Sequence, residues 1–147
     1  MITASAATVI AAPPCKIWEM ISDPEQWDRW MVMHGEWPDG PPAGLEKGTQ
    51  FRQRLGHLGI YDTVTVKIVE NDLHHLLVLF GQGNYGADAR FTFQLDPETP
   101  DSTRVTTTVE ILGKLVRPLS SLVKFGLQKN LRRTISEFSV QWGKRTA

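Results

Sequence analysis

The chain has 147 residues, no net formal charge, 41% hydrophobic and 22% charged side chains, a balance that fits one soluble domain over residues 1–147 and excludes collagen-like, disordered and membrane-spanning classes. The longest apolar stretch, Leu76 to Phe80, is too short to cross a bilayer, and the opening MITASAATVIAAPPC has no basic leader, so the reading is a cytoplasmic protein without a transmembrane segment. With Cys15 as the sole cysteine, neither an internal disulfide nor a cysteine zinc site can be assembled.

Residues 4–10 are small and β-branched and run into Ala12-Pro13-Pro14, which predicts a strand followed by a helix with proline in its first turn. Ile17, Trp18, Met20 and Ile21 supply the face of that helix, and Asp23-Pro24 separates it from a second short helix holding Trp27 and Trp30. The Pro- and Gly-dense stretch from Gly35 to Gly48 reads as an irregular loop. Segments 49–56, 60–70, 74–80, 85–96 and 102–112 are rich in Val, Ile, Thr, Phe and Leu and are separated by short turn-forming pieces, which predicts an antiparallel meander. In the last of them Val105, Thr107, Val109 and Ile111 alternate with Arg104, Thr106, Thr108 and Glu110, as in a sheet wetted on one side. After Pro118, Leu119, Leu122, Val123, Gly126, Leu127, Asn130, Leu131, Thr134, Ile135 and Phe138 recur at spacings of three and four, which predicts a long amphipathic helix of about 25 residues to cover the sheet.

Charge is distributed unevenly along the chain. From Gly113 onward eight basic residues face the single acid Glu137, a net +7, which leaves −7 on the first 112 residues. A basic helix face of this kind suits either plain solvation or an acidic partner; nothing in the pattern calls for nucleic acid.

The run Ala12-Pro13-Pro14-Cys15-Lys16-Ile17-Trp18-Glu19-Met20-Ile21-Ser22-Asp23-Pro24-Glu25-Gln26-Trp27-Asp28-Arg29-Trp30, followed by Leu45-Glu46-Lys47-Gly48-Thr49, resembles the START-like, or Bet v 1-like, superfamily, and within it the polyketide cyclase/dehydrase and lipid transport family. The resemblance covers essentially the whole chain. It implies an α+β helix-grip fold: a curved antiparallel sheet of about six strands, two short helices and a long C-terminal helix. The segment Trp30-Met31-Val32-Met33-His34 is similar to actinobacterial members, one mycobacterial subfamily of which is named as the toxin of a type II toxin–antitoxin pair.

The resemblance implies a cavity between the sheet and the terminal helix that takes a small hydrophobic ligand, lipid or polyketide-like, with no cofactor. With Lys67 facing solvent, strand alternation turns Asp62, Val64, Val66 and Ile68 inward, and by the same logic Phe51, Gln53 and Leu55. Tyr85, Phe91 and Phe93 join them, and Leu127 comes from the helix. Trp30 and Trp37 flank the Pro/Gly loop and are expected to form part of a lid over the cavity, with Met33 beside them near its mouth as a further ligand contact. Asp62 and His34 are the candidate acid and base of a cyclase or dehydrase: an inward carboxylate in an apolar cavity has a raised pKa, and an imidazole near the mouth can orient a carbonyl or take a proton. The competing readings are an Asp62 paired with a nearby arginine and a solvated His34, in a protein that only binds. A toxin-like or regulatory module acting through a protein partner, as monomer or homodimer, is a third reading.

Two further motifs are set aside. His74-His75 on a strand point to opposite faces and do not share a metal ion. Gly81-Gln82-Gly83-Asn84-Tyr85-Gly86 matches G-x-G-x-x-G but is followed by a strand pattern rather than a helix, so it reads as a hairpin and not as a phosphate loop.

Overall fold

The computed structural model describes residues 2–57, 60–83, 88–112 and 120–146, without the side chains of 57, 60, 120–124, 145 and 146. Strand β1 (Ile2–Ile10) leads into helix α1 (Pro14–Ile21), whose first turn carries Pro14 where a missing N–H is harmless and whose inner face is Ile17, Trp18, Met20 and Ile21. Asp23 then caps a single 3-10 turn, Pro24–Gln26, by accepting the Glu25 N–H at 3.2 Å. Helix α2 (Trp27–Trp30) follows, and its i, i+3 spacing turns both tryptophans inward.

The remaining strands are β2 (His34–Glu36), β3 (Gln50–His57), β4 (Ile60–Asp72), β5 (Leu76–Gln82), β6 (Asp88–Thr99) and β7 (Ser102–Leu112). They form one antiparallel sheet in the order β1-β7-β6-β5-β4-β3-β2. Seven strands therefore stand where the sequence predicts about six. The extra one is β2, which overlaps the start of the expected loop: His34-Gly35-Glu36 has no hydrophobic alternation and is defined by its pairing to the edge of β3. His74-His75 fall in the β4–β5 turn rather than on a strand, with His74 in the left-handed region at φ 67°.

The concave face is where alternation predicts it. Phe51, Gln53 and Leu55 on β3 turn inward, as do Val64, Val66 and Ile68 on β4, whereas Arg52, Arg54, Thr65 and Lys67 are exposed. A register shift in β4 lies between Ile68 and Glu70, past these positions, and leaves their facing unchanged. Two glycines are dictated by geometry. Gly48 turns the chain into β3 at φ 93°, and at Gly56 any side chain would collide with the ring of Tyr61, its cross-strand partner.

Helix α3 (Ser120–Thr146) buries Leu127, Leu131, Thr134, Ile135 and Phe138, the face expected from the three–four spacing. It lies along β1 and also touches α2, β7 and β3. The Gln128 side-chain amide accepts the Ser5 N–H at 3.2 Å and donates to the Ser5 carbonyl, which caps the free edge of β1. Thr134 Oγ1 accepts the Val32 N–H at 3.2 Å and so ties the exit of α2 to the helix. Among the described residues no helix is long and apolar enough to cross a membrane.

Candidate functional site

The inward side chains of β3 to β6 converge on a small void. Met31, Gln53, Leu55, Val66, Leu79, Phe91 and Phe93 enclose about 10 Å³, roughly one water-sized probe. Gln53 is the one polar side chain among the described residues of this wall and is only 2% exposed. Its amide nitrogen lies 2.8 Å from His34 Nδ1 and 3.6 Å from the Met31 sulfur. Since the amide donates, His34 Nδ1 accepts and the imidazole proton belongs on Nε2.

His34 is half-buried and has a second face. With Glu25, Asp28, Glu36 and Trp37 it lines an outer cleft of about 380 Å³, and its ring lies tilted against that of Trp37 with centroids 4.6 Å apart, while Trp37 in turn packs on Trp27 and Phe51 at 5.6 Å each. The loop that completes this cleft is held to β3 by a two-pronged ion pair, Arg52 to Asp39 at 2.7 and 2.8 Å, which keeps the Asp39 carboxyl below the usual carboxylate range. His34 thus connects an acidic outer cleft to the amide at the apolar interior. Burial pushes its pKa down, and the nearby Asp28 carboxylate offsets part of that.

This has a measurable consequence. An unfolded imidazole titrates near 6.5 and the folded one lower, so between the two values the unfolded chain binds more protons and stability rises with pH. The thermal midpoint should hold above about pH 7.5, fall as pH drops through 6.5, and level off below the folded pKa. Thermal melts of wild type and His34→Gln from pH 8 to 5 check it: the difference between them should decline through that window, and a flat difference would discard the buried neutral imidazole.

The structure brings the two chemistry-bearing candidates into one row. His34 pairs with Leu55 and Leu55 with Asp62, so the histidine and the carboxylate stand two strand spacings apart, about 10 Å. Asp62 is half-buried and interacts with a neighbouring group. Phe91 and Gln53 line the void itself. Phe51 and Trp37 belong to the aromatic cluster beside it, and Met33 and Leu127 are buried in the core without lining void or cleft. Trp30 is no lid: it is 2% exposed, set edge-on to Phe93 at 5.6 Å and Phe138 at 5.0 Å. Tyr85 lies outside the described residues.

Sequence reasoning missed Met31, Leu79, Glu25 and Asp28 as lining residues. It also missed a difference between two tryptophans. Trp27 Nε1 donates to the Ile21 carbonyl at 2.8 Å, whereas Trp30 Nε1 is buried without a partner among the described residues, an arrangement that costs about 1–3 kcal/mol.

Comparison with known proteins supplies the relatives. A Mycobacterium tuberculosis protein named Toxin Rv0910 is 25% identical over 130 residues, 88% of this chain and 90% of that protein. The crystal structure of TTHA0849 from Thermus thermophilus superposes with a TM-score of 0.77 at 18% identity, covering 99% of both chains. That of the Zhui aromatase/cyclase from Streptomyces sp. R1128 gives 0.76 at 10% identity, covering 99% of this chain and 95% of that one. The family described as polyketide cyclase / dehydrase and lipid transport matches residues 1–138, and the chain, with its helix-grip sheet and terminal helix, belongs to that family.

Proposed function

We propose that the protein binds a small hydrophobic molecule carrying a hydrogen-bonding oxygen, lipid- or polyketide-like, between the sheet and α3. The observation that carries this reading is an apolar wall with one convergent polar group: Leu55, Val66, Leu79, Phe91 and Phe93 around the buried Gln53 amide. The void is about 10 Å³, so a ligand enters by displacing a side chain. Met31 is suited to yield, being unbranched, polarizable and in contact with Gln53. Affinity comes mainly from burying ligand carbon, and the amide sets orientation.

Native mass spectrometry of gently purified protein, with organic extraction, should release a stoichiometric apolar compound. Independently, the apolar dye N-phenyl-1-naphthylamine should brighten on binding and be displaced by that compound. Gln53→Leu should weaken a carbonyl-bearing ligand about tenfold while leaving the dye nearly unaffected. A protein that comes away empty and does not bind the dye would sink the reading.

A catalytic version of the same site is favoured by the row His34–Leu55–Asp62. There the Nε2–H of the neutral imidazole donates a hydrogen bond to a ligand carbonyl, while the Asp62 carboxylate takes a proton from the carbon beside it and hands it to the carbonyl oxygen, the enolisation step of a cyclisation or dehydration. Its test is deuterium exchange at the α-carbons of a bound cyclic ketone such as 2-tetralone. Asp62→Asn and His34→Ala should each bring exchange to the buffer rate, and wild-type rates in both variants leave a protein that only binds.

A further inference from the structure

A second cleft, of about 450 Å³, lies on the other side of Trp30, between α1, the 3-10 turn, α2 and the C-terminal end of α3. Its wall is unlike the interior. Arg29 and Lys144 bring two positive charges, Gln26 and Gln141 two amides, and Met20 and Trp30 an apolar floor. The ion pairs Arg52–Asp39 and Arg104–Glu98 among the described residues involve neither Arg29 nor Lys144. Asp23, which caps the 3-10 turn, accepts the Glu25 N–H and, at 2.8 Å, the Gln26 amide. Trp30, whose indole N–H is buried without a partner among the described residues, backs this wall.

We propose that this cleft is a binding site for an oxyanion, phosphate or carboxylate, carried free or as the head of an amphiphile. A guanidinium offers a planar fork that matches either group, and a lysine a movable point charge. The volume is that of a small-molecule pocket. Trp30 is the partition: one side lines the cleft and the other meets Phe93, which lines the interior void. The oxyanion site therefore stands apart from the apolar interior and does not depend on it.

The experiment follows the five indole N–H signals by ¹H–¹⁵N NMR, with the Trp30 signal identified by its loss in Trp30→Phe. Wild type is titrated separately with inorganic phosphate, decyl phosphate and decanol. Both phosphates should shift the Trp30 signal, and Arg29→Gln and Lys144→Gln should each weaken them about tenfold at an unchanged thermal midpoint. Equal affinity for the two phosphates identifies a free oxyanion as occupant, and tighter decyl phosphate an amphiphile head. The proposal is overturned if decanol binds as tightly as decyl phosphate, if the glutamine variants bind like wild type, or if the Trp30 signal stays still. Loss of dye binding with phosphate binding intact would count against the interior reading alone.

Discussion

Trp27→Ala should lower the unfolding free energy by about 3–5 kcal/mol, the range for removing a fully buried large aromatic side chain. For a chain of this length that moves the thermal midpoint down by roughly 6–20 °C. The indole is 0% exposed and is the hub of the aromatic cluster, touching Trp30, Trp37 and Phe51 at 5.6–6.4 Å. It also closes the Asp23-Pro24 break, because its N–H reaches back to the Ile21 carbonyl at the end of α1. Trp27→Phe separates the two contributions: it keeps most of the packing and removes the donor, at an expected cost of about 1–3 kcal/mol. A denaturant titration of the three proteins decides. A phenylalanine variant as stable as wild type would assign the whole effect to packing, and an alanine variant losing under about 1 kcal/mol would contradict a close-packed cluster.

That cluster shows what a sequence can and cannot disclose. Trp27 and Trp30 are legible as one inward face because i and i+3 share a side of a helix, and α3 is legible for the same reason, from Leu127 to Phe138. In β7 the alternation of Thr103, Val105, Thr107 and Val109 marks the buried face directly. β5 defeats the same method. Leu76 to Phe80 is apolar at every position, so nothing in the letters says that Leu77 and Leu79 point inward, and Leu79 as a wall of the void could only come from the fold. Met31 and Met33 pose a related problem just after α2, where neither helical nor strand periodicity applies: one lines the void and the other does not.

The polar part of the site divides in the same way. Gln53 follows from strand alternation, and the structure adds what alternation cannot, a hydrogen bond to His34 across the β2–β3 pair. β2 itself is not legible because an edge strand of three residues, His34-Gly35-Glu36, shows no hydrophobic alternation. Reading Trp30 as a lid failed for a physical reason: a tryptophan beside a Pro/Gly loop is ambiguous until the adjoining helix sets its direction, and α2 turns it toward Phe93 and Phe138.

Phe91→Ala should have the second large effect, and it bears directly on whether the interior takes a ligand. Phe91 stands opposite Leu79 on one side and Val109 on the other and lines the void. Its removal should cost about 3–5 kcal/mol and leave an enlarged, dry, apolar hole. Such a hole accepts an apolar probe such as naphthalene, and a probe at 100 times its dissociation constant restores about 2.7 kcal/mol. Calorimetric melts of variant and wild type with and without naphthalene give two gains to compare. In the wild type the same probe must first displace Met31, and every tenfold weakening this imposes corresponds to about 1.4 kcal/mol. Comparable affinities in the two proteins would mean that the interior opens at little cost, as a ligand-binding chamber must. Rescue confined to the variant would mean that the native chamber is sealed by its own packing, and would remove the physical basis for placing a ligand there.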